Sequence, residues 1–311
     1  MRFTFLIISL LIVSCSSLTK EKNVENISVD FNKMWNYSDP VGTREKFKDL
    51  LVNSEDKNLD YLLQLKTQIA RTHSLKAEFK EAHSILNEVE ENLSGETIVA
   101  KVRYFLERGR TYNSANEKEK AKILFVSAFD LSNEFKLDNY TIDAAHMVAI
   151  AESDLDNKVL WSEKGIEIAQ KSSNDQVKRW IGVFYNNTGW DLFESNRYDE
   201  ALEKFIYCRA FHKDMSNKKN EDIARWSIAK TYRYLGKLED SLKIQEDLLA
   251  ESNGKDESGY TYEELAELYF LMGQKDMAKS YFSRAYDILS KDVWLQKNES
   301  ARLERMNNLS N

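Results

Sequence analysis

Large, small and aromatic residues recur along most of the chain at intervals of about forty residues, on two successive segments with helical spacing. On the first segment a small residue stands between large ones. On the second segment, small and large residues lie about one helical turn apart. This pattern predicts two antiparallel helices that cross at close range. The clearest copy contains Tyr185, Gly189, Leu192, Tyr198, Ala201 and Phe205.

The recurrence has a nearly constant period. The small positions of successive first helices are separated by 39, 41, 39, 40 and 37 residues. A fixed period of this size indicates a repeat array, in which each helix pair packs only on its neighbours. The third copy is the weakest, since a large Ile150 occupies its small position and its second helix is placed only from Val159, Ile166 and Ala169. The small positions are Ala70, Gly109, Ile150, Gly189, Ala229 and Ala266.

The spacing of these positions resembles the tetratricopeptide repeat, a helix–turn–helix unit of about 34 residues. The resemblance covers roughly residues 59–290. It implies an all-α fold: a right-handed superhelical solenoid of about six helix pairs with a capping helix at each end. Two features depart from the family. The single proline, Pro40, precedes the array, whereas the family often ends a repeat with proline, and the period here is several residues longer.

Composition agrees with an all-helical chain. One proline and ten glycines leave few helix breakers, and two of the glycines, Gly236 and Gly273, are predicted to occupy hairpin turns with left-handed φ. No stretch alternates apolar and polar residues long enough to favour a sheet. The length of 311 residues is therefore expected to form one array rather than two globular domains.

Residues 1–14 are predicted to be a signal peptide. A single Arg2 precedes an apolar run, which is shorter than the roughly 20 residues that span a bilayer. The run ends at Ile12–Cys15, which resembles the lipobox of bacterial lipoproteins and implies lipidation of Cys15. Two alternatives remain open: an ordinary cleaved signal in which Cys15 is incidental, and a retained helix.

The remaining segments follow in order. Residues 15–33 are polar and are expected to form a flexible tether, and residues 34–58 an N-terminal capping helix that Asp39 caps and Pro40 begins. Residues 59–291 form the array, and residues 292–311 a C-terminal capping helix. With Ser16 after the lipidated cysteine, the resemblance favours the outer membrane of a bacterial cell envelope and leaves the periplasmic or surface face open.

Charge and candidate chemistry exclude several functions. The net charge of −7 argues against nucleic acid and against a basic surface that lies on a membrane. Apart from Cys15 the chain has one cysteine, Cys208, at a predicted core position. The histidines show no metal-binding spacing, and no glycine-rich phosphate loop is present. We therefore predict no catalytic residue, metal or cofactor, and no enzyme. The histidines are His73, His83, His146 and His212.

Function is expected in the groove. In tetratricopeptide repeats the first helices line the concave face, and we transfer those positions repeat by repeat. Exposed aromatic side chains on that face are typical binding anchors, and Arg and Lys beside them can form ion pairs with acidic groups of a ligand. The alternative is that the rings are buried between repeats. The candidates are Arg110, Asn186, Trp190, Phe193, Trp226, Lys230, Arg233, Tyr260, Glu263 and Phe270.

Three functional hypotheses follow. The first is a membrane-anchored scaffold or adaptor that holds an envelope protein or an extended peptide in the aromatic half of the groove. The second is a solute- or glycan-binding outer-membrane lipoprotein, in which the aromatic rings of the groove would stack on sugars. The third is an enzyme whose site assembles from residues distant in sequence.

Overall fold

The computed structural model describes residues 31–54, 57–252, 254 and 257–310. The predicted signal peptide, Cys15 and the tether up to residue 30 lie outside the described residues. The chain divides into two units, Met1–Trp35 and Asn36–Asn311. The described part of the first unit contains a short 3₁₀ helix at Phe31–Met34.

The second unit consists of helices and connections, and none of its described residues lies in a strand. Six antiparallel pairs follow one another: α2 with α3, α4 with α5, α6 with α7, α9 with α10, α11 with α12 and α13 with α14. This confirms the predicted helical solenoid. The helices are α1 (Pro40–Val52), α2 (Leu59–Leu75), α3 (Phe79–Glu91), α4 (Ile98–Ser114), α5 (Lys118–Glu134), α6 (Asp138–Ala151), α7 (Leu155–Lys171), α8 (Asp175–Lys178), α9 (Trp180–Glu194), α10 (Tyr198–Asp214), α11 (Lys218–Tyr234), α12 (Leu238–Ser252), α13 (Gly259–Leu271), α14 (Lys275–Leu289), α15 (Val293–Asn298) and α16 (Ser300–Leu309).

Two of the helix pairs, α4 with α5 and α9 with α10, interlock through a glycine and a phenylalanine. A Cβ atom added to Gly109 would lie 2.5 Å from a ring carbon of Phe125, and one added to Gly189 would lie 2.5 Å from the ring of Phe205. Both rings are fully buried. The absence of a side chain at the crossing point therefore lets each ring pack directly on the opposite helix, as the sequence pattern predicts.

The third pair departs from the predicted register. Its second helix is α7, and Ile166 and Ala169 are buried as expected, but Ile150 is 41% exposed and does not occupy the crossing point. The close approach here joins α7 to the following pair, because a Cβ atom at Gly165 would lie 2.2 Å from the ring of Phe184 on α9. The buried residues that precede Ile150 on α6 are Val148 and Ala149, so the predicted small position lies on the exposed side of this helix.

Two turns and the first cap agree with prediction. Gly236 and Gly273 have φ angles of 75° and 76°, in the left-handed region that glycine adopts without strain. Asp39 accepts a hydrogen bond of 2.9 Å from the backbone N–H of Gly42, and Pro40 is the first residue of α1. The first position of a helix leaves its backbone N–H without a partner inside the helix. Proline has no N–H, so it begins α1 without losing a hydrogen bond.

The C-terminal cap is two helices rather than the single helix predicted from residue 292. Asp292 caps α15, which ends at Asn298, and α16 then begins at Ser300. Leu303 and Met306 of α16 are buried where that helix packs on α14. Its opposite side is polar, so α16 closes this end of the array with a solvated surface.

The fifth pair contains a polar residue in its core. The eighth residue of α5, α10 and α14 is a buried phenylalanine, but the eighth residue of α12 is Gln245. Gln245 is fully buried, and neither its Oε1 nor its Nε2 has a hydrogen-bond partner among the described residues. A buried amide without partners destabilises the folded state, so Gln245 makes the core of the fifth pair less stable than a phenylalanine at the same position would.

Replacing Gln245 with methionine should increase the free energy of unfolding by about 1–3 kcal/mol, because the thioether fills the same space without unpaired polar atoms. Urea unfolding followed by circular dichroism measures the change. The matched control is Gln170→Met on the exposed face of α7, which should change stability by less than about 0.5 kcal/mol. A Gln245→Met protein no more stable than wild type would contradict the conclusion that the unpaired amide of Gln245 destabilises the fold.

Candidate functional site

Three of the predicted aromatic residues form a continuous row. Trp190, Trp226 and Tyr260 belong to the first helices α9, α11 and α13, and we call them the aromatic row. The centroids of Trp190 and Trp226 are 5.9 Å apart, and those of Trp226 and Tyr260 are 6.1 Å apart. The indole N–H of Trp226 donates to the backbone carbonyl of Tyr260 at 3.2 Å. Both tryptophans are half-buried and Tyr260 is 38% exposed, so the row is partly accessible.

The predicted basic residues of α11 are engaged within the chain. Lys230 Nζ and Arg233 Nε each lie 2.7 Å from a carboxylate oxygen of Glu264, which is 1% exposed. Burial acts to raise the pKa of this carboxyl, but the two cations outweigh it and lower the pKa. These residues therefore bind α11 to α13 and are not available to pair with a ligand.

The other predicted charged residues have the same role. Arg110 Nη2 donates to both carboxylate oxygens of Asp143 at 2.6 Å, which joins α4 to α6. Glu263 is buried and accepts from Arg302 Nε at 2.7 Å, which joins α13 to α16. The signal for these pairs was present in the sequence, because the opposite charges are separated by 33 and 39 residues, about one repeat.

The two predicted phenylalanines lie in different environments. Phe193 is only 9% exposed and packs against the rings of Trp190, Tyr198 and Tyr234 at 5.3, 5.2 and 4.8 Å. Phe193 therefore belongs to the core beneath the aromatic row. Phe270 is 44% exposed and lines a shallow depression with α16, apart from that row.

A cleft of about 580 Å³, here called the larger cleft, opens between α9, α10 and α11. Only Asn186 among the predicted residues lines it. No aspartate or glutamate is among the described residues of its wall, although the chain as a whole is acidic. Sequence patterns missed it because its wall combines residues of three different helices, α9, α10 and α11. Its lining residues are Arg179, Gly182, Val183, Asn186, Asn187, Cys208, Phe211, His212, Met215, Asn217, Asn220 and Ile223.

A second cleft of about 290 Å³, the smaller cleft, lies on the other side of α9, against α6 and α7. Trp190 of the aromatic row contributes to its wall, and Lys158 and Asp191 form an ion pair of 2.7 Å there. Asn187 lines both clefts. Helix α9 is thus the shared wall of two openings, with the aromatic row beginning at their junction.

His146 of α6 contacts Asn187 and is affected by the charges of the ion pair between Asp143 and Arg110. The ring Nε2 of His146 lies 3.1 Å from Asn187 Nδ2. Burial lowers the pKa of His146 below its ordinary value of 6.5; Asp143 acts to raise it and Arg110 to lower it further. Neutral imidazole is therefore the form present at neutral pH, and its unprotonated nitrogen accepts from an amide N–H.

The described residues provide little for covalent or metal chemistry. Cys208 is buried, its thiol lies 3.5 Å from the carbonyl oxygen of Gly182, and burial raises its pKa to about 12. A thiol in that state is not a nucleophile at neutral pH. Within the described ranges, no three or more His, Cys, Asp and Glu side chains are arranged to hold a metal ion. No helix among those ranges is long and apolar enough to cross a membrane.

No protein-family model matches the chain, and no curated protein matches it. Solved structures do. RapI in its apo form has a TM-score of 0.69 and 15% identity, over 85% of this chain and 76% of that one. A signal transduction ATPase with a tetratricopeptide repeat sensor, from Pyrococcus horikoshii, has a TM-score of 0.69 and 14% identity; the match covers 87% of this chain but only 42% of that one.

A third similar structure is the C-terminal part of a tetratricopeptide repeat protein from Cytophaga hutchinsonii. Its TM-score is 0.54 and its identity 15%, over 85% of this chain and 94% of that one. At such identities the likeness shows the fold alone. It confirms the resemblance that the sequence carries, a solenoid of helix–turn–helix repeats.

Proposed function

Because the chain has the fold of tetratricopeptide repeat proteins, we propose that it is a scaffold that holds a partner protein by an extended segment. The segment lies in the larger and smaller clefts, across α9. The observation that carries the proposal is the wall of the larger cleft, which combines apolar side chains with four asparagine amides and has no carboxylate among its described residues. We assign no reaction to the chain.

The chemistry of this wall fits a polypeptide main chain. An extended segment has unpaired backbone N–H and C=O groups, which must find partners when they leave water. Each asparagine side chain offers both donors and acceptors. Val183, Phe211 and Ile223 provide apolar surface between the amides, where alternate side chains of the segment are buried.

An ion pair in the wall of the smaller cleft supports the proposal by fixing part of the site. Lys158 of α7 pairs with Asp191 of α9 at 2.7 Å and joins these two helices before any partner arrives. A site that is already rigid loses little conformational entropy on binding, so more of the contact energy contributes to affinity.

We favour a protein chain over a glycan as the ligand. The rings of the aromatic row are tilted at 38° and 73° to their neighbours and contact one another. Trp190 also packs edge-on against the buried Phe205 at 5.1 Å. Sugar rings stack on open aromatic faces, whereas this row presents edges and partly covered faces, which suit an apolar side chain of a peptide.

The place of action is proposed from the N-terminal sequence. Ile12–Cys15 resembles a lipobox, and a diacylated cysteine with a further acyl chain anchors a protein stably in a membrane. We therefore propose that the scaffold works at the bacterial cell envelope, in the outer membrane, on the end of the polar tether.

Site-specific photo-crosslinking in cells tests both parts. A photoreactive amino acid in place of Ile223, 47% exposed in the larger cleft, should form an adduct with one protein partner. The same amino acid in place of Ile123, 68% exposed on α5, should not. Adding Val183→Glu to the Ile223 variant should reduce the adduct at least about tenfold, because a carboxylate replaces apolar surface that the bound segment covers.

The adduct should fractionate with membranes and become soluble when Cys15 is replaced by alanine. Equal adducts from the Ile223 and Ile123 variants would rule out the clefts as the binding site. A soluble adduct from the chain with Cys15 intact would rule out the anchor alone.

A further inference from the structure

Asn187 is the one residue that belongs to the walls of both clefts, among the described residues that line them. Its side chain lies between two others. Asn187 Nδ2 is 3.1 Å from His146 Nε2, and Asn187 Oδ1 accepts from Asn186 Nδ2 at 3.3 Å. The amide is thus oriented from both sides, with its donor toward the histidine and its acceptor toward the neighbouring asparagine.

The surroundings of His146 restrict how it can respond to a proton. Its ring centroid is 5.0 Å from that of Trp180 and 5.9 Å from that of Phe184, so aromatic rings of α9 hold it in place. On its own helix the charged neighbour is Asp143, which Arg110 of α4 already neutralises by two hydrogen bonds. The ring therefore stays where it is, and the groups that can reorient are the amides.

The charged groups of the smaller cleft come from α7 and α9. They are Lys158, Asp191 and Glu194, and the first two neutralise each other as an ion pair. Glu194 is exposed at the end of α9. None of the three is hydrogen-bonded to His146 in the structure, so the imidazole exchanges its proton with the cleft without breaking an ion pair.

Protonation reverses the hydrogen-bond requirement. Neutral His146 presents Nε2 as an acceptor, which matches the donor of Asn187. In the imidazolium both nitrogens are donors, so Nε2–H and Asn187 Nδ2–H would oppose each other. Rotation of the Asn187 amide by half a turn restores the bond, because Oδ1 then accepts from Nε2–H. That rotation places two donors between Asn187 and Asn186, so Asn186 must either lose this contact or turn its own amide as well.

We propose that Asn187 is the specificity-determining residue of the two clefts and that His146 positions it, so that proton uptake by His146 releases a bound polypeptide segment. This inference rests on the proposed function, since it assumes that a polypeptide occupies the clefts. At neutral pH the amide presents one fixed pattern of donor and acceptor to both clefts. After protonation the donor and acceptor of Asn187 exchange places. A segment that matched the first pattern then has donors facing donors and acceptors facing acceptors.

The direction of the pH effect follows from the burial of His146. Burial lowers the pKa of its imidazole below 6.5, so the binding form is maintained throughout the neutral range. Release therefore requires acidification below pH 6.5, and stability also falls there because the fold favours the neutral ring.

The first test needs no ligand. In ¹⁵N-labelled protein titrated from pH 7.5 to pH 5, the side-chain amide signals of Asn187 and Asn186 should shift with the same midpoint as the imidazole signals of His146. In His146→Gln, whose amide accepts the same bond but carries no titratable proton, the shifts should disappear. His83→Gln, which replaces another partly buried histidine whose pKa is lowered, should leave them unchanged. Asn187 signals that stay constant while His146 titrates would overturn the inference.

The second test uses a library of random peptides of about nine residues displayed on phage. Phage selected at pH 7.5 on the wild-type protein, and not retained by the Val183→Glu variant, should elute about tenfold more readily at pH 5 than at pH 7.5. Elution from His146→Gln should be independent of pH. Peptides that bind the cleft but elute equally at both pH values would contradict the inference alone. Selection that yields no cleft-dependent peptide would contradict the proposed function, while the amide titration still decides the role of His146.

Discussion

Replacement of Glu264 with alanine is expected to lower the free energy of unfolding by about 3–5 kcal/mol. The carboxylate is 1% exposed and accepts from both Lys230 and Arg233. Its removal leaves two largely buried cations without a counterion, which is more costly than losing the attraction itself. Lys230 Nζ also lies 5.0 Å from the ring centroid of Trp226, so the loss should extend to the aromatic row.

Urea unfolding at pH 7 measures the loss, and Glu167→Ala on α7 is the matched control. Glu167 pairs with Lys171 at 2.5 Å, but the two side chains are 64% and 74% exposed. An exposed pair of this kind contributes at most about 1 kcal/mol. If the two alanine variants were equally stable, the cluster around Glu264 would not hold α11 to α13.

Replacement of Phe125 with alanine should have an effect of similar size, again about 3–5 kcal/mol. The ring is fully buried and fills the space left by the missing side chain of Gly109. Alanine would leave a cavity that the two crossing helices could close only by moving closer together. Amide hydrogen exchange should lose protection first in α4 and α5, because repeats contact only their neighbours.

Ile123→Ala serves as the control for this change, since Ile123 lies on the same helix but is 68% exposed. It should change stability by no more than about 0.5 kcal/mol. Exchange that accelerated uniformly along all the helices of the Phe125→Ala variant would show that the array unfolds as one unit and not repeat by repeat.

The close crossing of the helix pairs was predictable because it requires a small residue opposite a large one. Gly109 with Phe125 and Gly189 with Phe205 combine the smallest residue with a large ring at a fixed interval. The third pair does not follow this rule. Its glycine, Gly165, lies on the second helix, and the ring that packs on Gly165 is Phe184 of the next pair. Counting from one first helix to the next cannot detect a close approach of that kind.

The candidate site was predicted only in part. Trp190, Trp226 and Tyr260 were assigned to the groove as candidates and lie beside one another in the structure, whereas the sequence did not predict the clefts on either side of α9. It could not show that Lys230 would turn toward the next helix, since long side chains reach either a neighbour or the solvent. The role of Asn187 depends on contact with a histidine 41 residues earlier, which no local pattern encodes.

The unpaired amide of Gln245 has a mechanical consequence when the two ends of the array are pulled apart in a single-molecule experiment. Because each repeat contacts only its neighbours, tension between the two ends passes through every helix pair in series. A chain of links in series yields at the weakest one. Under load the α11–α12 pair, whose core contains that amide, should therefore extend before the pairs closed by Phe125, Phe205 and Phe282.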